Sequence, residues 1–107
     1  MIAPPPISVI VFGSFARNEA DAESDIDLAV IRPDEVHEAD DQWSDSLEVW
    51  RRKVRSITGN DADIVEAAAT EVARKVRGRS ELWRDIERDG VVVFGAAISE
   101  LAERVDA

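Results

Sequence analysis

Residues 7–31 read ISVIVFGSFARNEADAESDIDLAVI. The stretch opens on a β-branched run, Ile7 to Phe12, which stops at Gly13 in the pattern of a short buried strand. Ser14 is read as an N-cap that opens a helical turn over Phe15, Ala16 and Arg17. Residues 18–24 are polar and form a loop. A second strand then runs from Asp25 to Ile31. Its two-residue period puts Asp25, Asp27 and Ala29 on one face and Ile26, Leu28 and Val30 on the other. Arg32-Pro33-Asp34 ends it.

Working outward, Ala3-Pro4-Pro5-Pro6 excludes a helix and resists a central strand. Downstream, Trp43, Leu47, Trp50, Val54 and Ile57 recur at four- and three-residue steps, which predicts a helix from about Ala39 to Ile57 with one apolar stripe. Thr58-Gly59-Asn60 stops it. Asp61 to Glu66 is a third strand, with Asp61 and Asp63 on one face. Residues 67–78, rich in Ala and carrying Val72 and Val76, read as helix as far as Gly78. Ser80 caps a further helix through Leu82, Trp83 and Ile86. Asp89-Gly90 turns into a final extended segment, Val91 to Phe94, and a last helix carries Ile98, Leu101 and Val105. With no internal repeat and no linker, residues 1–107 are expected to form a single α/β (α+β) domain: a small sheet of three to four strands packed with helices.

The composition narrows the function classes. The chain has 107 residues, 45% of them hydrophobic, which suffices for a core. It has no cysteine, so disulfides, thiolate metal sites and cysteine nucleophiles are excluded. Apolar runs fall far short of the ~18 residues of a membrane span and no secretory signal is visible, so a cytoplasmic protein is expected. The net charge of -10 argues against a broad nucleic-acid-binding surface. The acid is concentrated: residues 18–48 hold twelve carboxylates against one base, Arg32. Most of those at 34–48 read as a solvated face. The basic clusters Arg51, Arg52, Lys53, Arg55 and Arg74, Lys75, Arg77, Arg79 read likewise. His37, the only histidine, is given no role. Trp43 and Trp50 read as core. Trp83 adjoins Leu82 and is the better interface candidate.

Asp25 and Asp27 fit a solvated face poorly, because they sit within an apolar run. A strand that ends in Gly13-Ser14 and opens a helix presents N–H groups and a hydroxyl to an anion, and Gly13 admits a phosphate close to the backbone. Two Asp residues at i and i+2 on a strand project side by side and repel unless a cation sits between them. Such paired hard oxygens suit Mg²⁺, completed by water and phosphate oxygens. A phosphate cradle beside metal-binding carboxylates outlines phosphoryl or nucleotidyl transfer.

The string GSFARNEADAESDIDLAV, residues 13–30, resembles the G-S-x-A-R-x-E-A…S-D-x-D-L-x-V signature of the nucleotidyltransferase superfamily that shares its fold with DNA polymerase β. It is closest in form to the minimal nucleotidyltransferases (MNT), the small antitoxin partners of HEPN-domain toxins. Asp89-Gly90 and the apolar segment after it look like the ending of that family. The resemblance implies a third carboxylate in an h-D-h-h setting. Ala62-Asp63-Ile64-Val65 fits, so Asp63 is expected and Asp61 is the alternative. The family has Gly where this chain has Asn18, a residue that tolerates left-handed geometry. It also begins with a helix before the first strand, which is apparently missing here, so one sheet face is expected to be poorly covered unless a partner covers it.

By resemblance, Asp25, Asp27 and Asp63 would be the catalytic residues and would hold Mg²⁺, two ions in all. Gly13, Ser14, Arg17 and Ser24 would bind the nucleotide, ATP. Arg17 would either position the triphosphate or brace the acidic loop through Asp21 or Glu23. The implied reaction moves AMP from ATP to a hydroxyl, a tyrosine on the HEPN toxin, with the chain acting as antitoxin. These residues contain no Tyr, so tyrosine self-modification is excluded and the acceptor is another molecule or a Ser or Thr of this chain. The other readings are a non-catalytic antitoxin that neutralises the toxin by binding, and a nucleotidyltransferase acting on a small molecule such as an aminoglycoside. No direct contact with nucleic acid or membrane is expected.

Overall fold

The strand that holds Asp27 is the second of the sheet. In the computed structural model, which describes residues 1–107 apart from Met1, Ala3, Ala22 and Ala107 and gives only the backbone for 103–106, β2 spans Ile26–Arg32 and every residue but Asp27 is buried. β1, Ser8–Phe12, lies antiparallel on one side of it, and β3, Ala62–Ala68, lies parallel on the other. β4, Val91–Gly95, pairs antiparallel with β1, giving the order β3-β2-β1-β4. The sheet is thus mixed and has four strands. A strand covered on both faces is largely apolar, which is why Val9–Phe12 and Leu28–Ile31 fill the middle of β1 and β2, with Ser8, Arg32 and Asp27 toward the strand ends.

A parallel step from β2 to β3 requires a crossover long enough to return the chain to the same end. α2, Asp41–Thr58, supplies it. Its N-cap is Asp40, whose carboxylate accepts a hydrogen bond from the Trp43 N–H at 2.9 Å, and Gly59 ends it in left-handed geometry. The stripe expected of this helix is real for Trp43, which is fully buried, and for Leu47, Trp50 and Val54, which are half-buried. Ile57 departs from it and is 75% exposed. Eighteen helical residues reach about 27 Å, whereas the seven of β3 reach about 23 Å, so the last turn runs past the sheet.

The other face is covered by three short helices: α3 at Val72–Arg77, α4 at Glu81–Asp89 and α5 at Ile98–Asp106. Ile10, Phe12, Ala29 and Ile31 of the sheet pack there against Val72, Trp83, Ile86, Ile98 and Leu101. Two expectations change here. Residues 67–78 are not one helix: Ala67 and Ala68 finish β3, a 3₁₀ turn covers Ala69–Glu71, and α3 takes only the rest. Ladder pairing of Ala67 with Ile31 and Ala68 with Arg32 overrides the helix preference of alanine. Trp83 is only 4% exposed and belongs to the core, while Leu82 faces outward, because Trp83 and Ile86 share the buried side of α4. Ser80 caps α4 through the Trp83 N–H as expected. Val105 lies outside the residues whose side chains are described.

Pro4 to Pro6 form neither helix nor strand, and Ala3 of the same run lies outside the described residues. The described residues leave part of the α2 face uncovered. A groove of about 260 Å³ opens there between Ile2, Pro6, Val9, Trp50, Val93 and Phe94. Beside it, all four apolar side chains of β4 are exposed, from 38% at Phe94 to 62% at Val93.

Candidate active site

The chain leaves β1 at Phe12 and turns at once. Gly13 has φ +70°, and a Cβ there would collide with Oδ2 of Asp27. Only glycine satisfies both conditions, so the sequence position fixes a backbone pressed against a carboxylate. α1 is the single turn Gly13–Ala16, closed by the Arg17 N–H bonding to the Gly13 carbonyl at 3.1 Å. Phe12, not Ser14, holds the N-cap position. Because Gly13 already carries the first helical carbonyl, Ser14 lies within the turn and not at its cap. Asn18 takes φ +60°, the left-handed geometry that its side chain tolerates.

The parallel register of β2 with β3 aligns the carboxylates. Asp27 pairs with Asp63, and the Ile26 N–H bonds to the Asp61 carbonyl at 2.8 Å, which sets Asp25 and Asp61 one step outside the ladder. On its other side Asp27 pairs with Phe12 of β1. Two Asp-x-Asp strings therefore open at one end of the sheet beside the Gly13–Ser14 turn. The Asp27 carboxyl is raised above its usual value by burial first, then by repulsion from Asp63 and Asp25, with Arg17 pulling the other way. Asp27 thus feels both of the other expected carboxylates and the expected cation.

Asp61 is differently engaged. Its carboxylate forms an ion pair with Arg55 of α2. Asn60 donates to the Ser24 carbonyl at 2.9 Å and ties the β3 approach to the acidic loop. Ser24 itself turns back on Asp21: its hydroxyl donates to Asp21 Oδ1 at 3.1 Å and accepts from the Asp21 N–H at 3.0 Å. The Glu23 N–H and Ser24 hold the Asp21 carboxyl below its usual value. Arg17 pairs with Glu19 at 3.3 Å and with Asp89 at 3.9 Å, not with Asp21 or Glu23. Asp89, read in the sequence as part of the Asp89-Gly90 turn and the family-like ending, had no place among the expected site residues. The signal for it is an acid in the last turn of a helix, where the helix dipole disfavours it.

The residues that come together are Gly13, Ser14, Asp25, Asp27 and Asp63, with Arg17 at the margin. Among the described residues no three acidic or imidazole groups converge on one point as they stand. The donor chemistry nevertheless fits a divalent cation. Three carboxylates lie at one end of the strand pair, and the burial and repulsion that raise Asp27 are what a cation would offset. No helix among the described residues is long and apolar enough to cross a membrane.

Toxin–antitoxin complexes are among the solved structures that share this architecture. A chain of one, crystallised with AMP-PNP, matches 98% of this chain and 75% of its own length, with TM-score 0.63 and 20% identity. A chain of the MntA-HpeT toxin–antitoxin carrying two Asp-to-Glu exchanges matches 98% of this chain and 75% of its own, with TM-score 0.61 and 18% identity. A Tyr-to-Ala mutant of the same toxin–antitoxin matches at TM-score 0.58 and 20% identity, over 97% of this chain and 73% of its own. At these identities the likeness is one of fold. No curated protein matches the chain. The nucleotidyltransferase domain model matches residues 3–93, a span that holds every residue of the site from Gly13 to Asp89, and the chain belongs to that family.

Proposed function

We propose that this nucleotidyltransferase moves AMP from ATP to a hydroxyl, that of a tyrosine, on a HEPN-domain toxin, and that it serves in the cytoplasm as the antitoxin. The observation that carries the reading is the register that sets Asp27 beside Asp63 against the Gly13–Ser14 turn. The fold shared with toxin–antitoxin complexes, one of them with AMP-PNP, supports the choice of partner and nucleotide.

Asp25, Asp27 and Asp63 are the residues that would hold Mg²⁺, as two ions. Such ions, when bound, offset phosphate charge and lower the pKa of the acceptor hydroxyl. Backbone N–H groups of the Gly13 turn and the Ser14 hydroxyl bind the β- and γ-phosphates, and Arg17 reaches the triphosphate. Ser24, bonded to Asp21, contributes by holding the loop that carries Asp25. Asp63 takes the proton of the acceptor hydroxyl. The acceptor oxygen bonds to the α-phosphorus, the bond from that phosphorus to the bridging oxygen breaks, and pyrophosphate leaves. Residues 1–107 act as one catalytic domain, and the partner brings the acceptor.

The test is to incubate the chain with Mg²⁺, α-labelled ATP and its co-purifying partner. The expected result is label on the partner, lost in Asp25→Ala/Asp27→Ala. No label, or equal label in the double variant, overturns the reading. Protection from the toxin that survives the double variant would make the chain an antitoxin by occlusion. Label on an aminoglycoside alone would make it a small-molecule enzyme.

A further inference from the structure

Asp89 stands where a carboxylate is least expected, at the last residue of α4, facing the negative end of the helix dipole. Two arginines compensate. Arg88 donates to it through Nε at 3.2 Å and Nη2 at 3.0 Å, and Arg17 approaches its Oδ2 to 3.9 Å from across the α1–α4 contact. The next residue holds this arrangement in place. A Cβ at Gly90 would collide with the Ile86 carbonyl and lie 2.6 Å from Ile10 Cγ2, so the end of α4 is seated directly on β1. β1 runs on from Ile10 to Phe12 and into the Gly13 turn. Asp89 and the turn that carries Arg17 are therefore fixed to the same strand. The Asp89 side chain is the more enclosed of the pair, at 20% exposure against 40% for Arg17.

We infer that Asp89 is a positioning residue that holds the Arg17 guanidinium toward the nucleotide. The inference rests on the reading of Arg17 as the cation that meets the triphosphate. Among the described residues Arg17 has one other ion-pair partner, Glu19, on the exposed side of the loop. With Asp89 neutralised, Glu19 is the one ion-pair partner left and draws the guanidinium outward, against the weaker pull of Asp27. With Asp89 in place, Arg17 stays within electrostatic range of both Asp27 and Asp89 and meets the triphosphate without reordering.

The test measures binding of ATP in the presence of Mg²⁺ to the purified chain by calorimetry, so it does not depend on any acceptor. The comparison covers the wild type, Asp89→Asn, Asp89→Glu, Arg17→Ala and the Arg17→Ala/Asp89→Asn pair. Arg17→Ala is expected to weaken binding about 10-fold and Asp89→Asn about 5-fold, with Asp89→Glu recovering most of the loss. In the Arg17→Ala background Asp89→Asn is expected to have no further effect, the mark of a residue that acts through another. Thermal midpoints recorded alongside separate positioning from folding: the Asp89→Asn loss is expected without a matching drop in Tm. Unchanged binding in Asp89→Asn, or an equal loss in both backgrounds, overturns the inference. Unchanged binding in Arg17→Ala overturns it together with the role given to Arg17. Intact ATP binding without transfer to any partner would instead overturn the proposed reaction and leave this inference standing.

Discussion

β2 and β3 carry charge at both ends, and the two ends are built in opposite ways. At the end where β3 enters the sheet, Asp25, Asp27 and Asp63 lie together, and burial, with the repulsion of the other two added, raises the Asp27 carboxyl. At the far end Arg32, 6% exposed, lies among acceptors. Its Nε donates to the Val36 carbonyl at 2.8 Å, and its Nη atoms face Glu66 at 3.5 Å and Glu71 at 3.8 Å. Glu66 also accepts from the indole N–H of the buried Trp43 at 2.7 Å. Among the described residues no buried side-chain polar atom lacks a partner. The same pair of strands is thus satisfied at one end and left in repulsion at the other. On the proposed reading, charge that serves stability finds its counter-ion within the chain, whereas the carboxylates assigned to catalysis would find theirs in a bound cation.

The largest expected effect separates the two Asp-x-Asp strings. Asp63→Ala should lower AMP transfer by about 10²–10³-fold, the loss typical of removing a group that acts on charge developing in the transition state. Asp61→Ala should change it less than about 3-fold, since Asp61 is occupied by Arg55 and its exposed pair contributes little. Initial rates with labelled ATP decide it, and an equal loss in both variants would remove Asp63 from its special place.

The satisfied end should fail by unfolding. Arg32→Ala leaves Glu66 without its buried counter-ion and should cost about 3 kcal/mol, read from urea midpoints at constant m-value. Glu66→Gln keeps an oxygen for the Trp43 indole and should cost about 1 kcal/mol. If the Glu66→Gln loss exceeded that of Arg32→Ala, the network would be organised around Trp43 and not around the arginine.

What the sequence made legible at each end follows from how local the forces are. Asp25, Asp27 and the Gly13–Ser14 turn sit inside one strand-turn-strand stretch, so alternation and turn chemistry reveal them. The Asp27–Asp63 pairing depends on register between strands 36 residues apart, and local pattern left Asp61 and Asp63 open. Arg17 and Asp89 are still farther apart, and their pairing comes from the seating of α4 on β1 at Gly90. The extension of β3 through Ala68 and the burial of Trp83 were hidden for the same reason: neighbours in sequence suggested a helix and an exposed ring, and contacts across the sheet decided otherwise.

The smallest expected effect tests the cost of the Asp27 charge, from burial and repulsion together. The Asp27 carboxyl is raised above its usual 3.8, so in the folded chain the ionised form is the disfavoured one. Ionised Asp27 therefore subtracts stability at every pH above its folded value, and the deficit vanishes as pH falls through that value toward the unfolded one. Asp27→Asn removes the charge at nearly constant shape. Without divalent cations it should raise Tm at pH 7 by about 2–4 °C, equal to about 0.5 kcal/mol in a domain of this size. The difference should close as pH falls through the raised folded value toward the unfolded 3.8, where both forms of the chain carry the proton. Millimolar Mg²⁺ should then stabilise the wild type and leave the variant unmoved, because a ligand shifts stability only through the form that binds it. A variant less stable than the wild type in metal-free buffer at pH 7 would mean that Asp27 is held by favourable contacts. In that case the contrast between the two ends of the strand pair would not be one of repulsion against satisfaction.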